Sequence, residues 1–157
     1  AIKKTGVFYP LQTFSKGREI NFKELPFLLE ASGEDSAKLL NELAILTGGK
    51  VHFISSEKRK LVHLAAVFVN NFTNYMLTAG SEMASMAGLS FDIFEPLIKE
   101  TISKALENGP EASQTGPAVR NDRNTVEKHL ELLSFSPELQ NIYRDITNSI
   151  TKHYNKI

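Results

Sequence analysis

The 157-residue chain contains no cysteine, and its charges cancel, with 18 basic and 18 acidic residues. Without cysteine the chain has no disulfide, thiol nucleophile or cysteine metal site, which fits a reducing compartment. A net charge of zero gives no electrostatic basis for binding nucleic acid. No apolar run reaches the length of a membrane span, because His63 and Asn70 interrupt the longest one. We therefore expect a cytoplasmic protein that contacts neither nucleic acid nor a membrane.

Several functional signatures are also missing. The sequence has no Gly-x-Gly-x-x-Gly or Walker phosphate loop, no Gly-x-Ser-x-Gly nucleophile elbow and no signal peptide. Its histidines show no spacing of three or four residues, so we predict no metal site. The chain starts at Ala1 directly on a pattern typical of a strand. We therefore expect a piece of a longer protein.

The first 55 residues combine strand and helix patterns. Three apolar runs predict strands up to Tyr9, over Pro26–Ala31 and over Val51–Ser55. A polar loop separates the first two runs. A helix pattern separates the last two, and Gly48 with Gly49 supplies its C-cap. This order suits the end of an α/β sheet that an N-terminal βαβ half would complete.

From Ser56 onward the pattern predicts helices alone. A stripe of apolar residues at helical spacing follows the N-cap Ser90, and Asn108-Gly109-Pro110 ends that helix. Residues 111–123 are predicted as a loop. Further helices are predicted to start at Asp122 and after Ser136.

The first of these helices, predicted over 56–88, is apolar on all sides in its first half, which is typical of a buried helix. At about 100° per residue, His63, Asn70, Asn74 and Ser81 lie along one line. Buried polar groups need partners, so this stripe either bonds within the core or across a dimer, or it lines a site. In a site, His63 is a candidate proton donor, and Asn70 and Asn74 hold a carbonyl or carboxylate.

The loop from Gly109 to Asp122 is the second candidate. It carries Thr115, Arg120 and Asp122 between turn-forming residues. In one interpretation Arg120 and Asp122 form an ion pair or a helix cap. In the other the loop faces an anionic substrate, because arginine binds carboxylate and phosphate in a bidentate manner.

Three motifs carry a resemblance to a known family: Tyr9-Pro-Leu-Gln-Thr-Phe14, the segment from His63 to Asn71, and the segment from Gly109 to Leu130. They resemble a family of proposed NADP oxidoreductases with a Rossmann-like N-terminal domain and a helical C-terminal domain. That family is similar to pyrroline-5-carboxylate reductase and the 6-phosphogluconate dehydrogenase superfamily. Two positions depart from its pattern: Tyr9 stands where the family usually has His, and Asn121 where it commonly has Gly.

The resemblance implies a fold class and a function. Residues 1–55 are expected to be the end of a Rossmann-like α/β domain. Residues 56–157 are expected to form an all-helical dimerisation and substrate domain of the 6-phosphogluconate dehydrogenase type. The implied reaction is hydride transfer between NADP or NAD and a C=O or C=N carbon of a small, anionic substrate, in a homodimer. The main cofactor-binding loop is absent from this chain.

The implied site residues fall into three groups. His63 and Asn70 are the catalytic candidates. The substrate-binding candidates are Asn74, Thr115, Arg120 and Asp122. The cofactor-binding candidates are Pro10, Gln12 and Gly116. The rival hypothesis is a non-catalytic helical dimerisation or nucleotide-sensing module. A stand-alone helical adaptor fits less well, because residues 1–55 have the pattern of a sheet.

Overall fold

A computed structural model describes residues 4–23 and 25–155. The chain divides into two compact units, Ala1–Met76 and Leu77–Ile157. The division falls within the long helical segment, whereas the sequence suggested a boundary after residue 55. The extents of the two domains therefore stay a prediction. No helix in the described part of the chain has both the length and the apolar character needed to cross a membrane.

The first unit contains a three-stranded sheet with the order β1 (Gly6–Pro10), β2 (Pro26–Ala31) and β3 (Lys50–Phe53). β1 pairs antiparallel and β3 pairs parallel with β2. Helix α1 (Glu34–Leu46) provides the crossover that a parallel pair requires. The three predicted strands are confirmed, although β1 includes Pro10, which an edge strand tolerates. Residues 1–3 of the predicted first strand lie outside the described residues.

One face of the sheet forms the core of this unit. Phe27 and Leu29 are 1% and 0% exposed, and they pack with Leu25 and with Ala44 of α1. Successive side chains of a strand point to opposite faces, so Leu28 and Glu30 lie on the other face of β2. Each fully buried side chain of this size contributes about 1.5–3 kcal/mol.

Helix α2 (Ser56–Ala66) is fixed to that other face by Glu30. The Glu30 carboxylate accepts hydrogen bonds from Arg59 Nη1 at 2.5 Å, Ser56 Oγ at 2.7 Å and the Ser56 amide at 3.2 Å. These donors, Arg59 first, hold the pKa of Glu30 below its ordinary value of 4.5. The start of α2 is therefore tied to the middle of the sheet.

The predicted long helix is interrupted. After α2, residues Val67–Phe72 form a π-helix, and α3 (Thr73–Met86) follows. The single α-helical period assumed from the sequence is therefore wrong here. A π turn contains more residues than an α turn. The side chains that follow it are therefore rotated about the helix axis relative to their positions in a continuous α-helix. The polar side chains from His63 to Ser81 consequently do not form one straight stripe.

The prediction that this helical segment is buried is also wrong. No residue of α2 or of the π-helix is buried, and Leu61 and Val69 are 68% and 75% exposed. The physical reason is that α2 meets the sheet through polar contacts, those of Ser56 and Arg59 with Glu30 and that of His63 with Tyr9. These contacts do not cover the apolar side chains of the helix.

The second unit is helical. Its core consists of Ala79 of α3 with Leu133 and Leu139, packed against Ile142 and Tyr143. The predicted N-caps at Asp122 and Ser136 are confirmed, since Asp122 accepts from the Thr125 amide and Ser136 from the Leu139 amide. The predicted N-cap Ser90 precedes a 3₁₀ helix, and its side chain makes no capping hydrogen bond. The remaining elements are a 3₁₀ helix at Phe91–Phe94, α4 (Glu95–Asn108), α5 (Pro110–Ser113), α6 (Arg123–Leu132), a 3₁₀ helix at Leu133–Phe135 and α7 (Pro137–Tyr154).

Two predictions in this unit need correction. The helix after Ser90 opens with four residues of 3₁₀ helix before α4 begins. The predicted loop after Pro110 starts with the single turn of α5, where the Ser113 hydroxyl bonds to the carbonyls of Lys104 and Gly109. Proline favours the first turn of a helix, and this preference outweighed the loop-like composition of the segment after Pro110.

Candidate functional site

A cleft of about 530 Å³ lies in the first unit, beside the polar side chains of α2 and the π-helix. One wall is formed by the segment that ends β1 and continues through Gln12 and Phe14. The other wall is formed by His63, Asn70 and Asn71 with the apolar residues between them. The cleft thus brings together three residues predicted from the sequence: Gln12, His63 and Asn70.

Sheet register and helix period together explain why Tyr9 meets His63. Tyr9 pairs with Leu28 in the sheet and shares its face with Glu30. Arg59 and His63 are four residues apart, so they lie on the same side of α2. Arg59 bonds to Glu30, and one turn later His63 Nδ1 lies 3.0 Å from the Tyr9 hydroxyl. The two rings are perpendicular, at an angle of 84°.

Carboxamides supply most of the other polar groups of the cleft. Gln12 Oε1 accepts from the Thr13 amide at 2.9 Å, which fixes the orientation of that side chain. The side chains of Asn70 and Asn71 make no hydrogen bond with the described residues. Both belong to the π-helix, which directs two consecutive residues to the cleft wall. Each of these amides offers both a donor and an acceptor to a bound molecule.

The cleft carries no fixed charge from the described residues. None of its lining side chains is an aspartate, glutamate, lysine or arginine. Imidazole is the side chain best suited to exchange a proton near neutral pH, and His63 brings one to the cleft. Among residues 4–23 and 25–155 no three potential metal ligands cluster. The arrangement can therefore hold an uncharged polar group and exchange a proton with it.

The other predicted residues of this unit lie beside the cleft. Pro10 is the last residue of β1, between Tyr9 and the lining residue Leu11. Asn74 follows the π-helix and does not line the cleft. Its absence from the lining follows from the rotation that the π-helix introduces.

Four predicted residues belong to the second unit. Asp122 caps α6 by accepting from the Thr125 amide at 3.1 Å and the Thr125 hydroxyl at 2.7 Å. The Thr125 donors are the main reason why the pKa of Asp122 lies below its ordinary value. Thr115 and Arg120 are exposed, and the Arg120 side chain forms no ion pair with the described residues. Gly116 adopts a φ of 109°.

Contacts from α7 hold this loop in place. The carbonyl of Ala118 accepts from Thr151 Oγ1 at 3.3 Å and Asn155 Nδ2 at 3.1 Å. A cleft of about 330 Å³ adjoins it, lined by Asn121, Asp122 and residues of α7. The helix cap by Asp122, which was one of the two interpretations of this loop from the sequence, is present. The anion-binding role of Arg120 and the substrate-binding roles of Thr115 and Asp122 stay predictions.

Sequence reasoning missed Tyr9 and Asn71 as site residues. Tyr9 was singled out only as a departure from a family pattern, although it directly precedes the Pro10-Leu11-Gln12 motif. Asn71 was excluded by the α-helical period, which places it about 100° from Asn70. The pair of adjacent asparagines within an apolar helix was the signal that could have revealed Asn71.

The solved structures that resemble the chain include two whose similarity extends over nearly all of it. One is a putative NADP oxidoreductase from Bacteroides fragilis, at 45% identity and a TM-score of 0.89, covering 95% of this chain and 57% of that one. The other is a protein from Thermotoga maritima, at 25% identity and a TM-score of 0.76, covering 96% of this chain and 62% of that one. The chain therefore spans less than two thirds of either protein.

The curated proteins contain no match to the chain. A family model described as "Domain of unknown function (DUF2520)" matches residues 25–150. This match covers the sheet from β2 onward, the cleft wall formed by α2 and the π-helix, and most of the second unit. The chain belongs to the DUF2520 family.

Proposed function

We propose that the chain is the C-terminal portion of an NADP- or NAD-dependent oxidoreductase. In this proposal it transfers a hydride between nicotinamide and a C=O or C=N carbon of a small substrate. The support is the structural match to a Bacteroides fragilis protein named as a putative NADP oxidoreductase, of which this chain covers 57%. The remaining length of such a protein leaves room for the glycine-rich phosphate loop that this sequence lacks.

One observation carries the proposal: the cleft places His63 beside carboxamides without any fixed charge. Hydride addition to a carbonyl or imine carbon leaves negative charge on the oxygen or nitrogen, which must gain a proton. His63 is proposed to exchange that proton. Asn70 and Gln12 are proposed to hold the neutral polar end of the substrate or nicotinamide by hydrogen bonds.

The rival hypothesis of a non-catalytic module makes a different structural prediction. It expects the polar side chains of the helix to be closed off by protein partners, with no cavity beside them. In the structure, the His63 side chain has one hydrogen-bond partner and the Asn70 side chain has none within the described residues, and both line the cleft. This geometry favours a site over polar side chains that are satisfied within this chain.

Roles for the other predicted residues complete the proposal. Arg120 is proposed to hold an anionic group of the substrate. Thr115 and Asp122 of the same loop, together with Asn74, are proposed as further substrate-binding residues. Pro10 and Gly116 are proposed to lie near the cofactor. The 6-phosphogluconate dehydrogenase type of helical domain and the similarity to pyrroline-5-carboxylate reductase belong to this same proposal.

Kinetics of the longer protein test the role of His63. Once a substrate is found by screening carbonyl and imine compounds for NADPH consumption, His63→Ala should lower kcat at least about 100-fold, as expected for loss of an acid–base group. His52→Ala is the matched control, because His52 is an exposed histidine of the same unit outside the cleft. Unchanged turnover in His63→Ala would refute the acid–base role. NADPH binding without turnover of any compound would favour the nucleotide-sensing module.

We also propose that the exposed apolar side of α2 and the π-helix is a homodimer interface. The rings of Phe68 and Phe72 meet edge to face there, with centroids 5.0 Å apart, while each is at least half exposed, and Leu61 is more exposed still. Apolar patches of this kind usually mark an interaction surface. Sedimentation at micromolar concentration should give a dimer. Leu61→Lys should give a monomer, whereas Leu39→Lys, at a similarly exposed leucine of α1, should not. A wild-type monomer would refute the interface.

A further inference from the structure

Tyr9 makes the only hydrogen bond that the His63 side chain forms with the described residues, through the Tyr9 hydroxyl and the ring nitrogen Nδ1 at 3.0 Å. Tyr9 is half-buried at the end of β1, and its place is set by pairing with Leu28, which is 5% exposed. The tyrosine is therefore held by the sheet, and the histidine is presented to it by the helix. A contact of this kind restricts the rotation of the imidazole ring.

The helix side of the contact is equally fixed. The carboxylate of Glu30 bonds to Arg59, one turn before His63, and to both the backbone and the hydroxyl of Ser56. Because Arg59 and His63 lie on one side of α2, the contact at Glu30 sets the rotation of α2 about its axis. Two contacts one turn apart therefore determine where the His63 ring lies.

This contact distinguishes the two nitrogens of the imidazole. A neutral imidazole accepts at one nitrogen and carries a hydrogen on the other. When the Tyr9 oxygen accepts from Nδ1–H, neutral His63 carries its hydrogen on Nδ1 and leaves Nε2 as the acceptor. When His63 is protonated, Nδ1–H still donates to the Tyr9 oxygen, and Nε2–H is the unoccupied donor. Nε2 has no partner among residues 4–23 and 25–155.

We propose that Tyr9 is a positioning residue that selects Nε2 of His63 as the atom that exchanges a proton in the cleft. The inference rests on the proposed oxidoreductase function. In reduction, the substrate carbon gains a hydride from reduced nicotinamide, and the substrate oxygen or nitrogen gains the Nε2 proton of the imidazolium. His63 becomes neutral, keeps its Nδ1–H bond to Tyr9 and is reprotonated by solvent. In oxidation each transfer runs in reverse.

The first test measures the tautomer directly and needs neither cofactor nor substrate. In ¹⁵N-labelled protein, two-bond nitrogen–proton spectra at a pH where His63 is neutral should show Nδ1 protonated and Nε2 unprotonated. Tyr9→Phe, which removes only the hydroxyl, should shift both His63 nitrogens toward the averaged values of a free imidazole. His52 is the internal control and should not change. Identical His63 nitrogen shifts in wild type and Tyr9→Phe would overturn the inference.

The second test separates this inference from the proposed function. In the longer protein, Tyr9→Phe should lower kcat about 10- to 100-fold, the range typical of groups that orient a functional histidine. Its KM should stay unchanged, because the hydroxyl is engaged with His63. Tyr9→His should restore part of kcat, since an imidazole can again bond to Nδ1. If His63→Ala abolishes turnover but Tyr9→Phe leaves kcat unchanged, only the inference about Tyr9 fails. If His63→Ala leaves turnover unchanged, the proposed function fails.

Discussion

Gly49 lies where the structure leaves no space for a side chain. A Cβ atom added there would overlap the ring of Phe27 and approach the carbonyl oxygen of Leu25 to 2.8 Å. Neither neighbour can move freely. Phe27 is 1% exposed within the core, and the Leu25 carbonyl accepts the hydrogen bond from the Lys50 amide at 2.9 Å that starts the pairing of β3. Gly49→Ala must therefore displace the core or the strand.

The size of this effect follows from two opposing terms. Adding a methyl group to a closely packed core typically costs about 1–3 kcal/mol. Replacing glycine by alanine also restricts the unfolded chain, which offsets about 0.4–1 kcal/mol of that cost. We therefore expect Gly49→Ala to lower the free energy of unfolding by about 1–2 kcal/mol. Gly33→Ala is the matched control, because a Cβ atom at Gly33 meets nothing within 4 Å.

Urea unfolding followed by circular dichroism measures both variants. Gly49→Ala should lower the midpoint without changing the slope, and Gly33→Ala should stay within about 0.5 kcal/mol of wild type. Combining Gly49→Ala with Phe27→Leu should cost less than the sum of the two, because the smaller side chain gives space to the new methyl group. A Gly49→Ala variant as stable as wild type, or fully additive effects, would refute the described packing of β3 against Phe27.

Two further predictions concern single contacts. Because the pKa of Glu30 is lowered in the folded state, its contribution to stability is complete above the ordinary value of 4.5 and is lost as the pH falls through the lower, folded value. Unfolding between neutral and acidic pH should therefore show wild type losing more stability than Glu30→Gln; parallel pH profiles would contradict the contact with Arg59. Asn121 has a φ of 53°, where alanine costs about 1 kcal/mol and glycine costs nothing, so Asn121→Ala should destabilise and Asn121→Gly should not. Equal stability of these two variants would argue against the left-handed turn.

The strands and helix ends were the most predictable part of the fold. β2 occupies the predicted residues Pro26–Ala31, and the caps at Asp122 and Ser136 are present. Each of these features depends on a few neighbouring residues, such as an apolar run between polar loops or a capping side chain before a helix. Local chemistry decides them, so the sequence was sufficient.

Burial and helix phase were not predictable in the same way. The apolar content of the segment around Val69 indicated a buried helix, yet Val69 is 75% exposed. Composition shows that a side chain favours burial, but it does not show whether the covering surface lies in the same chain. The π-helix at Val67–Phe72 changed the phase of the polar residues, and no residue type in it marks such a turn. Asn70 still lines the cleft together with His63, because only part of the π-helix lies between these two residues.

The contact between Tyr9 and His63 shows why the candidate site belongs to the junction of sheet and helix. The two residues are 54 positions apart, and neither alone indicates the other. A shift of β1 by one residue along β2 would turn Tyr9 to the opposite face of the sheet, toward α1. The α2 helix would keep its own contact at Glu30, so His63 would stay in place and lose its partner. The residues that fix the pairing of β1 with β2 therefore determine whether His63 keeps its hydrogen bond to Tyr9.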